Sequence, residues 1–275
     1  MWSLSAVADY KLTKNEQSKI RGLIAASYLM SRFNLNGNYI RAWNNPDRAG
    51  YAIIDCLMNL PLLYWASKEI GDNRYRCIAE AHTQTVLREF LRSDGSVNHI
   101  VDFDPETGEV RGIPQGQGFS PESAWARGTS WAIYGLALGY RYTKNEEYLQ
   151  KAKNTAHFFM ANLPEDYVCY WDFRVDITDK TPRDTSAAAC AASGMLELAH
   201  ILGGVEGRLY YDCAVKILKS LTENYSNLEN DKQSLLNCGT GNFPQKNNIN
   251  VGLIYGDYFY LEAIQKLTGK TELFW

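Results

Sequence analysis

The sequence predicts an all-α domain, and three observations carry that prediction. Long segments keep apolar residues at helical spacing, short polar breaks divide those segments into pairs, and the pairs recur every ~45–50 residues. The helices are read at 15–33, 51–70, 72–92, 121–142, 145–162, 184–203, 205–225 and 252–268. Gly71-Asp72, Thr143-Lys144-Asn145 and Gly203-Gly204 supply the turns inside the pairs. Ser120-Pro121-Glu122 offers a cap, a first-turn proline and an early acid for the fourth helix. Two stretches break the pattern. Residues 93–118 carry several turn signals and read as a hairpin or long ordered loop, and residues 235–250 as a Gly/Asn-rich loop. Long loops in a helical domain are more often functional than accidental. Nothing resembles a linker, so residues 1–275 read as one domain.

Composition narrows the function. The 275 residues are 45% hydrophobic and 21% charged, with 28 Lys plus Arg against 31 Asp plus Glu. That balance, without a basic block, argues against a nucleic-acid surface. No stretch approaches 18 uncharged apolar residues, which argues against a membrane span. Aromatic residues reach 13%, with 18 Tyr, 10 Phe and 7 Trp, and rings beyond the needs of a core suit stacking on sugars. The N-terminus shows neither a basic n-region nor a long apolar run, and the six cysteines are widely spaced without a C-x-x-C pair. Free thiols in the cytoplasm are the expectation.

Asp55 is the first candidate for chemistry. Ile53, Ile54, Cys56 and Leu57 surround it, and no Lys or Arg stands one helical turn away. A carboxylate in that setting is costly to bury ionised, which suits a proton donor; a buried Asp capping a neighbouring backbone element fits equally. Arg127 and Trp131 share a helix face at i, i+4. An Arg without a counter-ion beside an indole suits a sugar carboxylate and a sugar ring; an Arg paired with an acid of an adjacent helix, with the Trp in the core, is the plainer reading. His99 and Gln117 flank the 93–118 segment, and Trp43 stands where a loop meets a helix end. Asp102, Asp104 and Glu106 lack the downstream Glu of a calcium loop and read as a turn. No phosphate loop, G-x-S-x-G or H-E-x-x-H is present.

Together, IRAWNN (40–45), YAIIDCLMNLPLLYWAS (51–67), DGSVNHIVDFDPETG (94–108), QGQGFSPESAWARGTSWAIYGLALGYRYT (115–143), RDTSAAACAASGMLEL (183–198) and YGDYFYLEA (255–263) resemble the unsaturated glucuronyl hydrolases of glycoside hydrolase family 88. The related rhamnogalacturonyl hydrolases are the alternative within the fold. The resemblance implies an (α/α)6 barrel, here incomplete with about eight helices because the family's N-terminal helices are missing. It implies a substrate as well, an oligosaccharide left by a polysaccharide lyase and ending in a 4,5-unsaturated uronic acid. In the family an aspartic acid protonates the vinyl ether at C4 and helps water add at C5, without metal or other cofactor. Asp55 matches that acid, and Trp43, His99, Gln117, Arg127 and Trp131 match positions lining the sugar pocket. The second aspartate of the family has no counterpart here, since Asp9 lies in an unrelated context. A non-catalytic relative keeping only the sugar pocket is the competing expectation. An opened barrel would also expose apolar helix faces, which predicts self-association that covers the seam.

Overall fold

The computed structural model describes residues 3–228, 233–269 and 274–275. It resolves into two compact units, Met1–Leu91, Ile100–Pro114 and Glu272–Trp275 in one, Arg92–His99 and Gln115–Thr271 in the other.

In the first unit, α1 (Ala8–Thr13) follows a π-turn at Ser3–Val7, and α2 (Glu16–Met30) follows directly. The Asn15 side chain accepts from the Gln17 backbone N–H, a cap that starts α2. Short strands β1 (Phe33–Asn34) and β2 (Tyr39–Ile40) pair antiparallel. Next comes β3 (Tyr51–Ile53), a 3-10 turn at Ile54–Met58, then α3 (Leu60–Ile70) and α4 (Asn73–Glu89). Gly71, at φ +70°, closes α3, and Asp72 caps α4 through the Arg74 N–H. β4 (Ile100–Phe103) pairs antiparallel with both β3 and β5 (Val110–Gly112).

The helix expected over 51–70 is therefore only its second half. Pro61, in the first turn of α3, has no N–H for a preceding helical turn, and Tyr51–Ile53 spends its backbone on Ile100–Asp102. The hairpin reading of 93–118 holds in β4–β5. Asp104 makes its turn, accepting from the Glu106 and Thr107 N–H groups and pairing with Arg111 at 2.7 Å.

The second unit holds α5 (Ala126–Thr143), α6 (Glu146–Ala161), α7 (Thr185–Leu202), α8 (Gly204–Asn224), the hairpin β6 (Gly239–Asn242) and β7 (Asn247–Val251), and α9 (Ile254–Leu267). The predicted breaks at 143–145 and 203–204 stand where expected, with Asn145 capping α6. Residues 235–250 form a hairpin rather than a loop. The fourth helix starts at Ala126, not at Pro121. Arg92 donates to the carbonyls of Pro121 and Ser123, and Arg174 to that of Glu122, so 121–123 spends its acceptors outside any helix.

α7 is the axis of this unit. It packs against α5, α8 and α9, and Thr185–Leu198 is buried without a gap. Its alanines and Gly194 permit close approach, since a Cβ at Gly194 would stand 2.9 Å from the Tyr134 Cβ. By length and composition α7 could cross a membrane, but it is a core helix here. A buried polar network completes the packing. Tyr134, Ser193 and Tyr258 donate to the Glu262 carboxylate, while Lys266 bridges Tyr134 and Glu197. Burial and the Glu262 charge push both phenols up.

His82 of α4 is fully buried and accepts from the Ile40 N–H at Nδ1, 3.1 Å away. Burial pushes its pKa down from 6.5 to about 3. The unfolded chain takes up a proton there below about pH 6.5 and the folded chain does not. The stabilisation is thus complete above that pH and falls on acidification toward pH 3. We expect an extra loss of up to ~1.4 kcal/mol per pH unit between pH 6.5 and 4, relative to His82→Gln, in urea melts. Equal slopes for the two proteins would refute a neutral buried imidazole.

Candidate active site

In the first unit, Asp55 lies on the 3-10 turn that β3 feeds into. Its Oδ2 is shielded from solvent, and Ile54, Cys56 and Leu57 beside it are buried. Burial, with the neighbouring Asp55 charge, pushes the Cys56 thiol up to about 12. The apolar setting read from the sequence is present, although a strand and a 3-10 turn build it rather than an α-helix. Trp43 is tied to the same strand. Ala42 donates to the Tyr51 carbonyl at 2.7 Å, and the Trp43 and Tyr51 rings meet edge-on at 6.1 Å. The Arg48 guanidinium lies over the Trp43 ring, 5.4 Å from its centroid.

In the second unit the structure gathers His99, Gln117, Arg127 and Trp131. The Gln117 N–H donates to His99 Nδ1 at 2.8 Å, leaving the ring proton of a neutral imidazole on Nε2. Gly116 makes that approach possible, because a Cβ there would fall 2.1 Å from Nδ1. His99 packs on Trp125 at 4.3 Å, and Arg127 lies over the other aromatic neighbours of the cluster, 4.7 Å from Trp125 and 5.3 Å from Tyr255. Tyr255 leads on to Trp131, 6.5 Å between centroids, with Phe259 behind at 5.4 Å. The Trp131 Nε1–H is shielded from solvent and has no hydrogen-bond partner among the described residues.

Arg127 does not present an unspent fork. It is 4% exposed and pairs with the fully buried Asp184 at 2.7 Å. Its Nη1 also donates to the Thr240 carbonyl, and its Nη2 to Gln117 Oε1 and the Gly241 carbonyl. The plainer reading of the Arg, an ion pair with an acid of another helix, is the one the fold adopts. Asp184 serves three elements at once. It caps α7 through Ser186 and Ala187, accepts from the Thr240 N–H, and neutralises Arg127. Sequence reasoning overlooked Asp184, although its place before Thr-Ser and an alanine-rich helix is a cap signature. Asp172, 1% exposed, went unnoticed as well. It accepts from Phe119 N–H and Ser123 Oγ and so fixes the loop that carries Gln117.

Comparison with known proteins bears on this arrangement. The model of glycosyl hydrolase family 88 matches residues 3–270. An unsaturated glucuronyl hydrolase of Bacillus sp. (strain GL1) is 38% identical over 283 residues, covering 100% of this chain and 74% of the relative. An unsaturated chondroitin disaccharide hydrolase of Streptococcus pyogenes serotype M1 is 37% identical over 281 residues, covering 100% and 70%. The crystal structure of the Bacillus sp. GL1 enzyme superposes with a TM-score of 0.95 over 100% of this chain and 74% of that one, at 38% identity. An unsaturated glucuronyl hydrolase specific for heparin gives 0.94 at 33% identity, over 99% and 74%. The fold is that of the α/α-barrel hydrolases.

The Arg127–Asp184 pair yields a stability prediction. Asp184→Asn leaves a guanidinium buried without its counter-charge, which we expect to cost ~3–5 kcal/mol in urea unfolding. Adding Arg127→Met should recover part of that loss. A cost below about 1 kcal/mol for Asp184→Asn would show that the pair does not hold these elements together.

Proposed function

The chain belongs to glycosyl hydrolase family 88, and from that premise we propose that it is a glycoside hydrolase releasing a 4,5-unsaturated uronic acid from lyase-generated oligosaccharides. The observation that carries the reading is the family match across both compact units, with a shielded carboxyl at Asp55 in one and a polar–aromatic cluster in the other. That span also supports treating residues 1–275 as one hydrolase domain. The six cysteines form no disulfide among the described residues, which supports a reducing compartment such as the cytoplasm.

In this reaction Asp55, protonated, gives its proton to C4 of the vinyl ether. Positive charge develops at C5 next to the ring oxygen, and water adds there as the Asp55 carboxylate takes up one of its protons. The C5 hemiketal then collapses, the ring opens as a keto acid, and the remaining sugar leaves. Protons balance over the cycle, so no external acid is consumed. Trp43 and Trp131 supply aromatic faces for the sugar rings. The Trp131 Nε1–H is a buried donor that a sugar hydroxyl or ring oxygen satisfies. Gln117 offers its carboxamide N–H groups, since Oε1 is held by Arg127, and its backbone N–H orients the His99 ring. Arg127 acts as a positioning residue: it sets Gln117, which in turn sets His99.

The test follows the absorbance of the C4=C5 double bond in unsaturated chondroitin-, hyaluronan-, heparin-, gellan- and xanthan-type fragments. Wild type should remove the double bond from at least one of them. Asp55→Asn should lower kcat by ~100-fold or more while sugar binding stays within about twofold. Unchanged turnover in Asp55→Asn would remove that residue from the chemistry. Binding without turnover in wild type would identify a sugar-binding relative instead.

A further inference from the structure

Two peptide planes lead into Trp43, and a different segment holds each. The plane that ends at Ala42 is fixed by its N–H, which donates to the Tyr51 carbonyl of β3 at 2.7 Å. The plane that joins Ala42 to Trp43 is fixed by its carbonyl, which accepts from Arg32 Nη2 at 2.5 Å. Among the described residues the backbone N–H groups of Trp43 and Asn44 make no hydrogen bond, so the Arg32 contact is the last anchor before the indole. The β1–β2 ladder puts Arg32 there. Its Phe33–Ile40 pair extends one step, with the Arg41 N–H donating to the Arg32 carbonyl at 3.0 Å, which sets Arg32 beside Ala42. The guanidinium is turned inward. Its Nε–H is shielded from solvent without a hydrogen-bond partner among the described residues, and no carboxylate among them pairs with it. A cation with one neutral acceptor and a buried spare donor is a costly way to fill space. Its charge also reaches the Asp55 turn, where it opposes the upward push on the Cys56 thiol.

We propose that Arg32 is a positioning residue of the candidate active site, holding through the Ala42 carbonyl the peptide plane that carries Trp43. That plane is rigid and ends at the Trp43 Cα, so fixing its oxygen fixes where the indole starts. The ring contacts cannot do the same. Tyr51 meets the indole edge-on and Arg48 lies over it, but both act on the ring and leave the peptide free to turn. A charge-assisted hydrogen bond suits the task, being shorter and stronger than a neutral one. The use of the indole as a sugar platform rests on the hydrolase reading above, whereas its placement by Arg32 does not.

Substitutions at Arg32 test it. Arg32→Met removes the donor, and Arg32→Lys restores a charged one. Arg32→Gln keeps a polar end too short to reach the carbonyl and serves in place of Arg32→Met if that variant does not fold. The substrate-free readout is the Trp43 indole N–H signal in a proton–nitrogen correlation spectrum, identified by its loss in Trp43→Phe. It should shift or broaden in Arg32→Met and move back toward wild type in Arg32→Lys, while the Trp131 indole signal stays in place. On an unsaturated oligosaccharide that the wild type turns over, Arg32→Met should raise KM ~5-fold or more with kcat within about twofold, because stacking binds substrate and transition state alike. In a Trp43→Ala background the same change should move KM by less than about twofold, which a general loss of stability would not predict. An indole signal indifferent to Arg32→Met and Arg32→Gln overturns the proposal, and so does a KM effect that persists undiminished without Trp43. A wild type without turnover removes the hydrolase reading, while the indole signal still decides the role of Arg32.

Discussion

One buried guanidinium organises the larger unit. Arg127 is placed inside the protein, where an unpaired charge would cost several kcal/mol, so the fold has to surround it with acceptors. It does so with Asp184, Gln117 and the carbonyls of Thr240 and Gly241. Those four partners come from a helix cap, a loop and a hairpin that lie as much as 114 residues away in sequence. Satisfying one side chain therefore fixes α5, the start of α7, the Gln117 loop and β6 relative to one another. His99 inherits that order through the Gln117 N–H, and Trp131 through Tyr255. The candidate sugar site of this unit is thus largely a by-product of neutralising Arg127.

The parts of this arrangement legible in the sequence are those governed by local chemistry. Gly71-Asp72, Lys144-Asn145 and Gly203-Gly204 end one helix and start the next because capping and positive φ are decided within a few residues. The helices after α3 follow from their spacing alone. Where the reading failed, a distant partner had taken the backbone. Pro121 looked like a helix start, but the carbonyls of 121–123 are spent on Arg92 and Arg174. Tyr51–Ile53 kept helical spacing yet pairs with β4, and Pro61 in the same segment was the local sign that the helix could not run through. The β6–β7 hairpin gave little warning, because its Gly and Asn residues suit a loop equally well; Phe243, stacked on Trp171 at 4.4 Å, helps hold it in place.

The candidate residues divide in the same way. For Asp55 the neighbourhood was read correctly from composition while the secondary structure was not, because an apolar setting depends on which residues are near in sequence and tolerates either backbone form. For Arg127 the plainer reading, an ion pair with an acid of another helix, is the one the fold adopts, while the identity of that acid went unread. No local feature announces Asp184, 57 residues away, as its counter-ion. Charge balance is a global property, and a single helix face cannot reveal it.

The two units meet that balance differently. In the larger unit buried charge is closed on itself, Arg127 with Asp184 and Lys266 with Glu197 and Glu262. In the smaller unit Arg21 lines an open groove with no carboxylate partner among the described residues, and a solvated cation there costs little, so the fold need not neutralise it as it neutralises Arg127.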